Sequence, residues 1–448
     1  MGFIWIRETE FTVYNYIYRI PYAGSNAAMG GEEKMRRKND HKKLALTVGV
    51  LCLLIGALGL IILILMPQEE LVTVDSPSKP ESLLEVSQPE PQSEPEPEPE
   101  PVTATILMVG DNLLHMEVVD SGLQGDGTYD FTHLFESIYD DVQSADIAII
   151  NQETVLGGTE IGLSGYPQFN SPQEMGDFLV RTGFNVVLHA NNHAMDRHYN
   201  GLERTMDFWD QHPEVTVVGI NRTQEDRGRI RLVNANGIQV AVLGYTYGTN
   251  GIPLPEDMPW LVDLIDEDMI REDILKAKEL ADFIVVLPHW GVEYSYSPSD
   301  EQVYLASMMA DLGVDLIIGT HPHVLQPIDW IERTDGGRTL VYYSLGNYVS
   351  NQNMNPRMLG GMARITITMD GDKVSITDAS IEPLVTHYEW SDIRGSYYVY
   401  KLEDYSQELA ARHGVGSSDT GFSLAYLQDL SRQILGAWYQ EKQGAETD

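Results

Sequence analysis

Five short stretches of this chain carry the residue types that hold cations and move protons. They are Asp111-Asn112 with His115, Asn151-Gln152-Glu153, Asn191-Asn192-His193 with Asp196, His289, and His321-Pro322-His323. Imidazole, carboxylate and amide oxygen together form a donor set for Zn, Mn or Fe. A lone histidine at such a place is more often structural, Asn-Asn-His alone reads as a helix N-cap, and His-Pro-His alone reads as a rigid turn. The joint pattern carries the argument. Of the chain's 12 histidines, His115, His193, His289, His321 and His323 fall in these stretches, whereas the others of residues 102–448, His133, His189, His198, His212, His387 and His413, show no such order.

The stretches need elements to hold them, and the sequence supplies a short apolar run before each. The runs cover residues 104–109, 146–150, 185–188, 283–287 and 315–318, with a sixth at 239–243. Continuous apolar runs of this length suit strands buried on both faces. Helical patterns at 172–182, 201–211, 268–280 and 299–312 lie between them. Strands alternating with helices predict an α/β domain with a substantially parallel sheet, in which ligands bind outside the carboxyl ends of the strands. Further on, residues 339–343 and 363–369 alternate in polarity, and Asp370-Gly371-Asp372 predicts a hairpin turn into 373–377. Residues 385–448 are rich in Tyr and helix formers and predict a C-terminal helical extension, strongest at 424–439. Two features stay open on residue type alone. Ser344, Gly346 and Asn347 read either as a ligand-approach turn or as a plain strand end, and Trp290 and Tyr294 read either as groove lining or as core.

The stretches MVGDNLLH (108–115), INQET (150–154), ANNHAMD (190–196), LPHWGVEY (287–294), IIGTHPHVLQP (317–327) and YSLGNYV (343–349) occur in one order. That order resembles the calcineurin-like metallophosphoesterase superfamily, and more closely the CapA (PgsA) family of poly-γ-glutamate capsule synthesis proteins. The resemblance covers residues 104–350. It implies a metallophosphoesterase-like α/β sandwich and a site for two divalent metal ions (Mn, Zn or Fe). It implies Asp111, Glu153, Asn192, His289, His321 and His323 as ligands, with His115 as a further candidate. It also implies His193 as a general acid, which Asp196 would orient. The chain departs from the superfamily pattern in three places. Asp111 and His115 are four residues apart rather than two, Glu153 stands where a bridging Asp is usual, and no Arg follows Glu153.

Charge divides the chain into regions. The formal net charge of −38 resolves into +3 for residues 1–66, −9 for 67–101 and −32 for 102–448. Residues 45–66 are uncharged and long enough to cross a ~30 Å hydrocarbon core, which predicts a transmembrane helix. A cleaved signal peptide would carry a shorter apolar stretch and a small-residue cleavage site. Lys34, Arg36, Arg37, Lys38, Lys42 and Lys43 precede the span, so residues 1–44 are expected to be cytoplasmic and the rest extracytoplasmic, in a single-pass cell-membrane protein. The lone cysteine, Cys52, falls within the span, which leaves the outer part free of disulfides. Met29 and Met35 are start positions alternative to Met1.

Residues 67–101, with their Pro-Glu alternation, predict an extended stalk reaching on the order of 100 Å. The expected organisation is therefore 1–44, 45–66, 67–101, a catalytic-fold domain at 102–384, and the extension at 385–448. The acidity excludes nucleic acid as a partner. It admits an anionic substrate only if metal meets it first, since two divalent ions add about +4 locally. Three functions fit: an anchored protein for synthesis or export of a poly-γ-glutamate-type polymer, working with other membrane capsule-synthesis subunits; a cell-surface metal-dependent phosphoesterase; and a non-catalytic metal-binding scaffold.

Overall fold

The structure, a computed structural model, describes residues 100–390 and 395–440. The expected cytoplasmic segment, transmembrane helix and nearly all of the stalk lie outside the described residues. Among the described residues no helix is long and apolar enough to cross a membrane.

The strands are β1 (Val102–Asn112), β2 (Ile147–Gln152), β3 (Val186–Leu188), β4 (Thr216–Val218), β5 (Arg231–Ala235), β6 (Ile238–Thr246) and β7 (Phe283–His289). They continue with β8 (Leu316–Ile318), β9 (Ile328–Glu332), β10 (Arg338–Tyr342), β11 (Asn347–Val349), β12 (Leu359–Asp370), β13 (Lys373–Trp390) and β14 (Gly395–Lys401). They form two sheets. The first runs β14-β13-β12-β1-β2-β3-β4, with β11 paired to the end of β1, and the second runs β5-β6-β7-β8-β10-β9. β1 to β4 are parallel to one another, as are β6, β7, β8 and β10, while β12 to β14, β5 and β9 add antiparallel edges.

The sheets pack face to face. Ile106 and Met108 of β1 share one buried cluster with Val240 and Val242 of β6 and Val285 and Leu287 of β7. The alternate residues Leu107 and Val109 turn outward to Val118, Leu134, Phe178 and Leu179. Ile284 and Val286 likewise turn to Ile270, Ile274 and Leu305 on the helices Glu267–Leu280 and Asp300–Leu312. Both faces of each central strand are thus covered, which is why these strands read as unbroken apolar runs. The helices begin where their caps permit. The Asp266 side chain accepts the Met269 N–H, and Ser299 and Gln302 close a reciprocal capping box.

The α/β sandwich agrees with the expected fold class, and the hairpin at Gly371 (φ 59°) joins β12 to β13 as its Asp-Gly-Asp signal predicts. The C-terminal expectation needs correction. Residues 385–390 continue β13 and 395–401 form β14, so a boundary at 384 cuts through a strand. The helical character begins later, at Gln407–Arg412 and Leu424–Leu435, and Leu427, Leu430 and Ile434 close one end of the inter-sheet core. Tyr388, Tyr397 and Val399 explain the difference, since they pack on the outer face of the first sheet as strand residues.

Candidate metal centre

The carboxyl ends of β1, β2, β3, β7 and β8 converge, and with them the polar stretches read from sequence. β11 joins them through a parallel pairing that sets Asn347 beside Asp111. The close approach of these strands requires glycine. A Cβ on Gly110 would lie 1.9 Å from the Gly346 carbonyl oxygen.

Asp111 is fully buried. One carboxylate oxygen accepts Asn151 Nδ2 at 2.8 Å, and the other lies 3.0 Å from His323 Nδ1 and accepts the His321 N–H at 3.3 Å. His323 Nδ1 also lies 3.1 Å from Asn347 Oδ1. His289 Nε2 lies 2.8 Å from Asn192 Oδ1, while its Nδ1 sits 2.9 Å from Thr320 Oγ1, which fixes the ring. Asn191 donates to the Gln152 carbonyl and accepts the His193 N–H, so the Asn-Asn-His turn is locked to β2. His321 and His323 both have positive φ, 97° and 58°. For a non-glycine residue that conformation is uncommon and is found where surroundings hold it.

Glu153 occupies the middle. It is fully buried, and neither carboxylate oxygen has a hydrogen-bond partner. His323 Nε2 and His289 Nε2 stand 3.6 and 3.7 Å from it, beyond hydrogen-bond reach. Burial, reinforced by the Asp111 carboxylate, pushes its pKa well above the usual carboxylate range. Burial and neighbouring imidazoles push His289 well below its ordinary value and His321 down to about 3. Neutral imidazoles with free lone pairs are the form that binds metal. The buried Nδ1 of His321 is likewise without a partner.

Orphaned Glu153 oxygens beside imidazole nitrogens fit a divalent cation. Ligand atoms of Glu153, His289 and His321 lie within 4.8 Å of one another, as do those of Asp111, Glu153 and His323, and those of Glu293, His321 and His323. Glu153 is common to the first two groups. Asn192 adjoins the first through His289.

Three sequence candidates lie outside these groups. His193 Nδ1 is 2.7 Å from Asp196 Oδ2, an oxygen that also accepts the Phe169 N–H at 2.6 Å. That pairing leaves His193 Nε2 for the cleft that His193 lines. His115 lines the same cleft, but its Nδ1 accepts the Asn351 N–H at 3.2 Å, and burial lowers its pKa to about 4. The Phe169 ring meets both His115 and His193 edge-on. The cleft measures about 540 Å³ and is lined by Tyr166, Asn250, Glu293 and Tyr294 as well.

Of the open sequence features, Asn347 lies at the centre beside His323, Tyr294 lines the cleft, and Trp290 is buried with its Nε1–H donating to the Tyr343 carbonyl. The sequence alone assigns no role to Asn151, Thr320 or Glu293, which the structure places at the centre. Adjacency is their only signal: Asn151 stands two residues before Glu153, Thr320 precedes His321, and Glu293 is four residues past His289.

Residues 105–352 match the family model described as bacterial capsule synthesis protein PGA_cap. The PGA biosynthesis protein CapA of Bacillus subtilis (strain 168) is 36% identical over 171 residues, 38% of this chain and 43% of that protein. The capsule biosynthesis protein CapA of Bacillus anthracis is 36% identical over 175 residues, 38% of this chain and 41% of that protein. The chain thus matches less than half the length of each of these two relatives. Among solved structures, the calcineurin-like phosphoesterase YfkN from Bacillus subtilis aligns with TM-score 0.35 and 12% identity over 74% of this chain and 97% of that one. The 5'-nucleotidase from Candida albicans aligns with TM-score 0.36 and 11% identity over 73% and 57%. The family match spans more than half of the residues, and every ligand candidate lies within it. The chain belongs to the bacterial capsule synthesis protein family PGA_cap.

Proposed function

We propose that this chain is a membrane-anchored, extracytoplasmic protein that acts, with other membrane subunits, in the synthesis or export of an anionic poly-γ-glutamate-type polymer. Two divalent cations, of Mn, Zn or Fe, would be held at its strand ends. Family membership and the CapA relatives support the polymer. The uncharged span at 45–66 with its cationic flank supports the anchor and the outward orientation. The observation that carries the site is Glu153, whose two oxygens are buried and unpartnered and whose Oε1 stands 3.7 and 3.6 Å from His289 Nε2 and His323 Nε2.

Bound divalent cations supply Lewis acidity and neutralise developing negative charge. Asp111, Glu153, Asn192, His289, His321 and His323 would hold them. Asn151 orients the Asp111 carboxylate, Thr320 the His289 ring, and Asn347 the His323 ring. Asp196 holds the Nδ1 side of His193, so His193 Nε2 is the atom placed to give a proton to a leaving oxygen or nitrogen. Phe169 closes an apolar wall over that ring.

The test is genetic and chemical together. In a strain that makes γ-linked glutamate polymer, deleting the gene should lower surface polymer, and Glu153→Gln or Asp111→Asn should lower it comparably while the protein stays at its normal level. Unchanged polymer in the deletion strain refutes the polymer assignment. The His193–Asp196 pair beside the ligand groups favours a second reading, a cell-surface phosphoesterase. Metal-dependent turnover of a generic phosphodiester would single it out. Stabilisation by metal without turnover of any substrate would instead mark a scaffold.

A further inference from the structure

The three ligand groups include one carboxylate outside the set implied by the family resemblance, Glu293, on the loop that follows β7. We propose that Glu293 is a metal ligand, adding a carboxylate to the coordination where the His321 and His323 sides of the centre meet. The inference rests on the metal reading above and names a donor which that reading does not contain.

Ligand atoms of Glu293, His321 and His323 lie within 4.8 Å of one another. His321 Nδ1 is buried and has no hydrogen-bond partner. His115, the residue the first strand would offer here, has its Nδ1 occupied by the Asn351 N–H. The residue two past Asp111 is Leu113, a buried hydrophobe with no donor. Beyond Asp111, β1 and the turn after it therefore offer the centre no further free donor, whereas the loop after β7 offers an acidic one.

The placement of Glu293 is built into the fold. The chain leaving β7 turns at Gly291, whose φ of 92° and Cβ position 2.4 Å from Gln302 Oε1 admit no side chain without displacement. The turn is pinned at three points: Trp290 N–H to the Thr320 carbonyl at 3.1 Å, Trp290 Nε1–H to the Tyr343 carbonyl at 3.0 Å, and Tyr294 N–H to the Pro322 carbonyl at 2.7 Å. The last bond lands between the two histidine ligands. It holds Tyr294 at a positive φ of 66°, and the Arg357 guanidinium stacks 3.5 Å from the centroid of that ring.

The experiment uses the full chain in detergent, loaded with Mn(II) or Zn(II) and desalted, with metal per chain measured by mass spectrometry and affinity by calorimetry. The wild type should hold two cations. Glu293→Ala should lose one, or bind it at least roughly 10–100-fold more weakly, the scale seen even for supporting residues of metal sites. Glu293→Asp should recover part of the loss, and His115→Ala should still hold two. Glu293 is solvent-exposed, so its variants should melt like the wild type in chelator, which separates lost binding from lost folding. Two cations in Glu293→Ala at wild-type affinity overturn the inference and leave the metal reading standing. A wild type that takes up no cation overturns both.

Discussion

Replacing Glu153 with Gln should raise the stability of the metal-free protein and abolish its response to metal. Glu153 is fully buried, its oxygens have no hydrogen-bond partner, and the nearest imidazole nitrogens are 3.6 and 3.7 Å away. An unsatisfied buried polar group costs about 1–3 kcal/mol, and charge adds to that. Glutamine keeps the shape and cannot ionise. It should therefore recover the charge-dependent part, on the order of 1–2 kcal/mol, which in a domain of this size moves the melting temperature by roughly 2–4 °C. With cation present the order reverses. A ligand at 100 times its dissociation constant stabilises the wild type by about 2.7 kcal/mol. The variant, having lost the carboxylate common to two ligand groups, should gain less than about 1 kcal/mol. The assay is a pair of thermal melts on each protein, one in chelator and one in excess Mn(II). A variant that melts below the wild type in chelator, yet climbs with Mn(II) as the wild type does, would refute the reasoning and make Glu153 an ordinary packed residue.

Two further outcomes follow from other groups. His193→Ala should lower any metal-dependent phosphodiester turnover by about 10²–10⁴-fold without changing metal content, whereas loss of metal would make His193 a ligand. Acid should destabilise the fold through His189 and His413, both buried and lowered to about 3, the first accepting Trp209 Nε1–H and the second held between the Thr386 carbonyl and the Val415 N–H. The unfolded chain takes up these protons below about 6.5, so stability is complete above that pH and falls as pH drops toward 3. Each histidine should cost about 2 kcal/mol at about pH 5. Urea unfolding at neutral pH and about two units lower reads the difference, and His413→Asn should remove one such increment from the pH dependence. An unchanged pH dependence would show that His413 takes up its proton as readily in the fold as in the unfolded chain.

Residues that act through type and spacing are legible in the sequence itself. The strand-end stretches stand out because buried parallel strands read as unbroken apolar runs, and a polar cluster at the end of each is conspicuous. The strands at 104–109, 147–150, 186–188 and 283–287 fall where those runs predict. The edge strands are harder. β4, β5 and β9 are short and partly exposed, so tertiary pairing decides them rather than pattern. β14 reads as part of a helical region because its tyrosines fit either period, and only packing on Tyr388 and the outer sheet face makes it a strand. At the site, spacing locates His321 and His323 but says nothing of their left-handed backbone or of Asn347 reaching His323. Asn151 escapes the sequence reading because an amide that orients a carboxylate has the same signature as one that caps a turn.

The net charge of −38 gains a local meaning from this geometry. Asp111, Glu153 and Glu293 converge on His289, His321 and His323, and no ion pair with Lys or Arg reaches them among the described residues. Elsewhere the domain uses its cations in structural pairs, such as Arg227 with Asp263 and Asp273, and Arg231 with Asp226. A centre built this way repels an anionic polymer until divalent charge arrives and attracts it afterwards. On the proposed function, metal occupancy and polymer binding would be coupled through the same carboxylates. Affinity for a γ-linked glutamate oligomer should rise with Mn(II) in the wild type and fail to rise in Glu153→Gln. Equal affinity of the wild type with and without metal would place the polymer on some other face of the molecule.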